Sequence, residues 1–250
     1  MSDDWASYLV QIEDKPAAVL VDLGLASFAP IADLGQLVML RLQIQQPTED
    51  GLPGDDEFNR LCEIEDALDV AIGEVGDAAS VGRITVAGCR DFFVYAADGA
   101  AVEAGMKQAM AAYPEYEFRS GVREDSDWSS YFEFLYPDPA EMKMIQNGRV
   151  LASLAEAGDD FDIEREVNHW IYFTSADGRA KFVEAAQAEG FEVAEQKEDA
   201  EGEAPFSVLL SHVTAVDYGT INGAVLTLFA MAAEQGGEYD GWETSVQRGE

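Results

Sequence analysis

Cations are scarce in this chain of 250 residues: 15 Lys and Arg stand against 49 Asp and Glu, a formal net charge of −34. A generic nucleic-acid binder needs a cationic face to release phosphate counterions, so direct nucleic-acid binding is excluded. A helix lying on an anionic membrane surface is excluded for the same reason. Cysteine is nearly absent. Cys62 and Cys89 make no disulfide framework, and no spacing marks a metal site. Cys62 falls among helical apolar positions and reads as a buried thiol, whereas Cys89 sits in the turn Gly88-Cys89-Arg90-Asp91. No apolar run approaches the ~18 residues of a membrane span. The start, Met1-Ser2-Asp3-Asp4-Trp5, lacks the basic and apolar regions of a signal peptide. These absences predict a cytoplasmic, reduced protein. Catalytic signatures are missing too: no Gly-x-Ser-x-Gly, no glycine-rich phosphate loop with a lysine, no histidine cluster. A non-enzymatic protein without cofactor or metal is the expectation.

A hydrophobic content of 48% with 10% aromatics is too rich for disorder. Trp5 to Ile12 alternates, Asp14-Lys15-Pro16 breaks the pattern, and Ala18 to Asp22 resumes it, which predicts a hairpin. A strand follows at Leu37–Ile44, then a loop at Thr48–Gly54. Asp55 or Asp56 can cap the next helix, in which Phe58, Leu61, Cys62, Leu68, Ala71 and Ile72 recur at helical spacing. Strands at Val81–Val86 and Asp91–Tyr95, a helix over 99–112, and strands at Tyr116–Ser120 and Tyr131–Leu135 complete this half. Pro137-Asp138-Pro139 opens a helix ending at Gly158, and Asp159–Asp162 reads as a linker.

The last third repeats the grammar. Strand Glu166–Phe173 leads to helix Ser175–Glu189, strand Phe191–Ala194 and an acidic loop, Glu195–Glu203. Strand Phe206–Val213, helix Tyr218–Gln235 and strand Tyr239–Val246 follow, with Gly236-Gly237 as helix stop and chain reversal. This is β-α-β-β-α-β, and residues 37–120 fit the same order. The expected fold is α+β: two tandem ferredoxin-like sandwiches, the first with an added N-terminal hairpin. The expected domains are 1–136, a connecting helix and acidic linker at 137–161, and 162–250. Both parts are acidic. Residues 1–159 carry 10 cations and 30 acids (net −20), and residues 160–250 carry 5 and 19 (net −14).

Alternation sorts the last sheet. Val167, His169, Ile171 and Phe173 point one way, with Phe191, Val193, Phe206, Val208 and Leu210 as companions in the core. His212 shares their phase, so the two histidines are expected to be neighbours, buried and hydrogen-bonded. The opposite face would carry Trp170, Tyr172 and Leu209, with either Trp242 or Tyr239. Large aromatics beside Ser207 and Ser211 suit a protein-contact patch. The first domain or the 137–158 helix could equally cover that face. Gly241 inside a strand suggests a bulge or a close backbone approach. Glu238, Asp240 and Glu243 around Trp242 could receive arginines by pairing and stacking, or simply keep a strand edge soluble.

His169-Trp-Ile-Tyr-Phe173 before a helix, Gly190-Phe-Glu-Val193, and Gly236-Gly-Glu-Tyr-Asp-Gly-Trp-Glu243 resemble the RraB family, regulators of ribonuclease E activity, over residues 162–248. The closing segment is the most specific part. The resemblance implies a small ferredoxin-like domain that binds the endoribonuclease and lowers its activity without chemistry of its own. Trp5, Tyr8, Gly51-Leu-Pro53, Ile64-Glu65-Asp66, Gly82-Arg83 and Thr85 resemble a family of uncharacterised domains found upstream of this module. The expectation is a regulator that docks a basic protein segment, ribonuclease E being the candidate, through Trp170, Tyr172, Tyr239 and Trp242 with Asp240 and Glu243 as charge partners. An acidic ligand-binding or interaction scaffold with a site between the two domains is the alternative.

Overall fold

The computed structural model describes residues 2, 4–199 and 204–249. The chain is α+β and divides into two compact units, residues 1–138 and 139–250.

The first unit runs β1 (Trp5–Ile12), β2 (Lys15–Asp22), β3 (Gln36–Gln43), α1 (Asp55–Val75), β4 (Ala78–Val86), β5 (Cys89–Ala96), α2 (Gly99–Met110) and β6 (Phe118–Glu124). The strands form one antiparallel sheet in the order β1-β2-β4-β5-β3-β6. Val38, Leu40 and Leu42 of β3 and Phe92 and Val94 of β5 pack against Leu61, Ile64 and Leu68 of α1 and Val102 and Met106 of α2. The expected aspartate cap on α1 does not form. Gly54 is the N-cap, and Asp55, Asp56 and Glu57 instead place negative charge beside the helix dipole.

β5 is buried on both faces because residues 128–135 cover the side away from the helices. Trp128 stacks on Tyr95 at 4.1 Å between ring centroids, and its indole N–H donates to the Leu34 carbonyl. That packing holds Trp128 at φ +56°, a costly conformation for a bulky residue. Tyr131–Leu135 was expected as a strand and is a single π-helical turn. Its buried residues, Tyr131 and Leu135, fit alternation and helical i, i+4 spacing equally well. The preceding Asp125 turn decides the matter, since the backbone N–H groups of Tyr131 and Phe132 both donate to the Trp128 carbonyl. β6 also lies later than expected, at Phe118–Glu124.

The second unit contains α3 (Pro139–Glu156), β7 (Arg165–Phe173), α4 (Ala176–Ala188), β8 (Glu192–Glu198), β9 (Phe206–Thr214), α5 (Tyr218–Glu234) and β10 (Gly237–Thr244). Its antiparallel sheet is ordered β10-β7-β9-β8. Four strands of the first sheet, β6-β3-β5-β4, follow the same fourth-first-third-second order, and the β1–β2 hairpin extends that sheet beyond β4. α3 was expected as a connection but belongs to this unit's core, into which it sends Leu151 and Leu154. Nor is Asp159–Asp162 a solvated linker. Arg165 is 5% exposed and needs a counter-charge in the interior; the Asp159 carboxylate supplies it and also accepts the Gln247 backbone N–H. Of the expected acidic loop, residues 195–198 belong to β8, and 200–203 lie outside the described residues. The chain turns after α5 at Gly236, φ +69°, as the glycine pair implied.

Asp125 gives the first unit a direct test. Burial pushes its carboxyl up, but hydroxyls of Tyr95, Ser130 and Ser129 and the Ser130 backbone N–H outweigh burial and hold it well below the usual carboxylate range. A carboxyl lowered in the fold stabilises above its unfolded pKa of ~3.9, and that stabilisation is lost as pH falls below it. Asp125→Ala strands the Tyr95 hydroxyl and the Ser130 N–H, so urea unfolding of the full chain should show a loss of about 3 kcal/mol at neutral pH, shrinking toward pH 3.

Candidate functional site

β7 divides the second unit's sheet into two chemically different faces. Val167, His169, Ile171 and Phe173 are fully buried and meet Phe182 and Ala186 of α4 and Ile221, Val225 and Leu228 of α5. Asn168, Trp170 and Tyr172 alternate to the other side and are half-buried.

Cross-strand register fixes the neighbours on that second face. Tyr172 lies between Glu238 of β10 and Ser207 of β9, with Lys197 of β8 beyond. Trp170 lies between Gly241 and Leu209, with Glu195 beyond. Asn168 lies between Glu243 and Ser211, with Glu192 beyond. Two aromatic rings and a leucine thus occupy the middle of a face framed by four carboxylates. Lys197, the single cation in this grid, pairs with Glu195 at 2.7 Å. A Cβ built on Gly241 meets nothing within 4 Å, so space remains beside the indole.

Tyr239 and Trp242 are not on this face. β10 bulges between Tyr239 and Gly241, so two residues, Asp240 and Gly241, occupy the space opposite Trp170 alone. The bulge that Gly241 suggested is therefore present, and it overrides simple alternation. Tyr239 opposes Ile171 and Trp242 opposes His169, which puts both side chains on the helix side. Tyr239 is 2% exposed. The Trp242 indole N–H donates to the Asn147 side-chain oxygen at 2.8 Å, and Asn147 in turn donates to Asn222. These two residues lock α3 and α5 onto β10. Asp240 and Glu243 are exposed, with the Lys143 ammonium donating to the Asp240 carbonyl. Of the six expected contact residues, Trp170, Tyr172 and Glu243 come together on one face. Glu238, which the sequence grouped with Asp240 and Glu243, joins them, as do Glu192 and Glu195, which only the register reveals.

The histidines are neighbours, as expected. His169 Nδ1 lies 2.8 Å from the Tyr239 hydroxyl, and its Nε2 lies 3.2 Å from Nε2 of His212. Phe191 packs edge-on against His169 and tilted against His212. Burial, then the neighbouring His212, lower the His169 pKa to about 3, and burial lowers His212 too. Burial pushes the Tyr239 hydroxyl up, with Asp240 adding to it. Every member is therefore neutral near pH 7, and the chain Tyr239–His169–His212 satisfies polar groups from the apolar core out to the half-buried His212. Among the described residues no group of three or more His, Cys, Asp or Glu could hold a metal ion, and no helix is long and apolar enough to cross a membrane.

Residues 3–136 match the model of a family of unknown function, DUF695. Residues 144–244 match that of RraB, regulator of ribonuclease activity B. That span includes most of α3 as well as the whole β7–β10 sheet. No curated protein matches the chain. Two solved structures are similar over much of their length. One is an unknown protein from Galdieria sulphuraria, 12% identical, covering 85% of this chain and 99% of its own, with a TM-score of 0.24. The other is a putative glycine cleavage system transcriptional repressor, 8% identical, covering 84% and 98%, with a TM-score of 0.27. Likeness at that level bears on neither fold nor function.

The histidine chain has a pH consequence. An unfolded histidine takes up a proton near pH 6.5, whereas folded His169 refuses one until about pH 3. The unfolded state therefore binds more protons across that window, and stability falls as pH falls, by about 1.4 kcal/mol per pH unit. The His169 Cε1–H resonance should show no titration between about pH 8 and 4.5. An inflection near 6.5 would contradict the buried neutral chain.

Proposed function

We infer, for a chain that belongs to the DUF695 family of unknown function and whose second unit matches the RraB regulators, a non-catalytic regulatory role exercised by binding another protein. The observation that carries this reading is the face of Trp170 and Tyr172. Half-buried aromatics are the side chains most often found at the energetic centre of protein interfaces. The acids around them, Glu238, Glu243, Glu192 and Glu195, make the rim complementary to a cationic segment. The same acids argue against RNA stacking on this sheet, because phosphate would meet carboxylates. The strand order of the second unit supports a ferredoxin-like sandwich, in which both helices of the motif lie on one side and the other side of the sheet remains to be used.

The partner we propose is ribonuclease E, through an arginine-rich segment. Guanidinium planes stack on Trp170 and Tyr172 while the rim carboxylates accept their N–H groups. Tyr239 and Trp242 act indirectly, by holding β10 and α3 in place. Trp170→Ala/Tyr172→Ala should weaken binding of purified ribonuclease E more than tenfold, while Trp242→Phe, on the helix side of the sheet, leaves affinity unchanged and costs about 1 kcal/mol of stability. Titration calorimetry and urea unfolding of both variants read the two effects separately. Equal affinity for wild type and the double variant would overturn this reading.

A further inference from the structure

The first unit contains a cavity of about 130 Å³ at the place where the β1–β2 hairpin extends past the helices. Leu68 and Ile72 of α1, Met106 of α2 and Phe92 of β5 form its apolar inner end, and Leu20 and Trp5 of the hairpin form the outer wall. Trp5 is 42% exposed, so the wall has one free edge. An apolar cavity of ~150 Å³ holds benzene, so this volume suits one aromatic ring.

The local backbone is built around this space. β4 bulges between Ser80 and Gly82, both of which line the cavity. A Cβ at Gly82 would stand 2.5 Å from the Leu20 carbonyl oxygen, so only glycine permits the hairpin to approach there. Bulges of this kind often accompany binding sites.

The mouth is polar and unbalanced. Glu65 and Asp69 sit one turn apart on α1. Glu65 is paired with Arg83 at 2.7 Å. Asp69 accepts a hydrogen bond from the Ser80 hydroxyl at 2.9 Å, and among the described residues no cation pairs with it. Partial burial pushes its carboxyl up, and Glu65 and Asp66 add to the rise. Arg83, which also lines the cavity, is committed to Glu65, so Asp69 has no cation of its own beside a ring-sized apolar space.

We propose that this cavity binds a small aromatic amine, the ring lying among Leu68, Ile72, Met106 and Phe92 and the ammonium group donating to Asp69. Cavities that combine an apolar interior with a few convergent polar groups are the usual form of small-molecule sites. The proposal concerns the first unit alone and does not depend on what the second unit binds.

Phenethylamine is the probe, added at millimolar concentration to the full chain, with the Met106 methyl and Trp5 indole resonances as readouts. Both should shift together and saturate. Benzyl alcohol, which has the ring without the charge, should bind about tenfold more weakly, and 3-phenylpropionate should not bind. Asp69 is on the surface, so Asp69→Asn should fold normally and reduce phenethylamine affinity to that of benzyl alcohol. An unmoved Met106 methyl, equal binding of 3-phenylpropionate, or an Asp69→Asn variant as tight as wild type would each overturn the assignment.

Discussion

The 2.8 Å hydrogen bond between the Tyr239 hydroxyl and His169 Nδ1 lies behind a bulge in β10, and the surface of the second unit depends on that pairing. With one extra residue opposite Trp170, β10 sends both of its aromatics to the helix side. Tyr239 then completes the neutral chain to His212, and Trp242 reaches Asn147 on α3. Loss of the bulge would turn either Tyr239 or Trp242 outward and leave a cavity or an unpaired imidazole nitrogen inside. An uncompensated buried polar group costs about 1–3 kcal/mol, so the core itself enforces the bulge. The other side of the sheet is left with Trp170 and Tyr172 and with the short or acidic side chains that frame them.

The same chemistry explains how the charge of −34 is tolerated. Where a cation is buried, an acid is committed to it. Asp159 serves Arg165, and Glu65 serves Arg83 and, at 3.5 Å, Arg90. Where acids are exposed they are mostly unmatched, since 15 cations cannot serve 49 acids. Repulsion among these surface charges is screened by salt and spread over both units, so it costs each fold little. It does bias the choice of partner. A cationic peptide gains from every unmatched acid around the Trp170 face, and an ammonium group gains from Asp69 at the mouth of the first unit's cavity.

Much of this was legible in the sequence where one period dominated. β7 and β9 alternate, and their core faces follow from that alternation. The α4 and α5 starts, expected at Ser175 and Tyr218, were legible to within a residue, and Ser175 and Asp217 cap the two helices. Tyr131–Leu135 was not legible, because a buried pair four residues apart, Tyr131 and Leu135, satisfies two periods, and the deciding contact comes from the Asp125 turn. α3 looked like a connection because its apolar positions are spread thinly. Beside Leu151 and Leu154, it is tied to the second core by Asn147, a polar residue whose partners are 75 and 95 positions away. The contact face was half legible. Trp170 and Tyr172 followed from alternation, and Glu238 and Glu243 from the acids clustered around Trp242. Gly241 hinted at the bulge, but the hint alone could not say which aromatics it would turn inward. Glu192 and Glu195 needed the cross-strand register.

The four tryptophans allow one measurement to separate the surfaces. Indole N–H resonances of Trp5, Trp128, Trp170 and Trp242 can be followed while an arginine-rich segment of ribonuclease E is added to the full chain. Docking on the Trp170 face requires Trp170 to shift and saturate, with Trp128 and Trp242 unmoved in their buried or bonded positions. A saturating shift at Trp242 with Trp170 unchanged would contradict it.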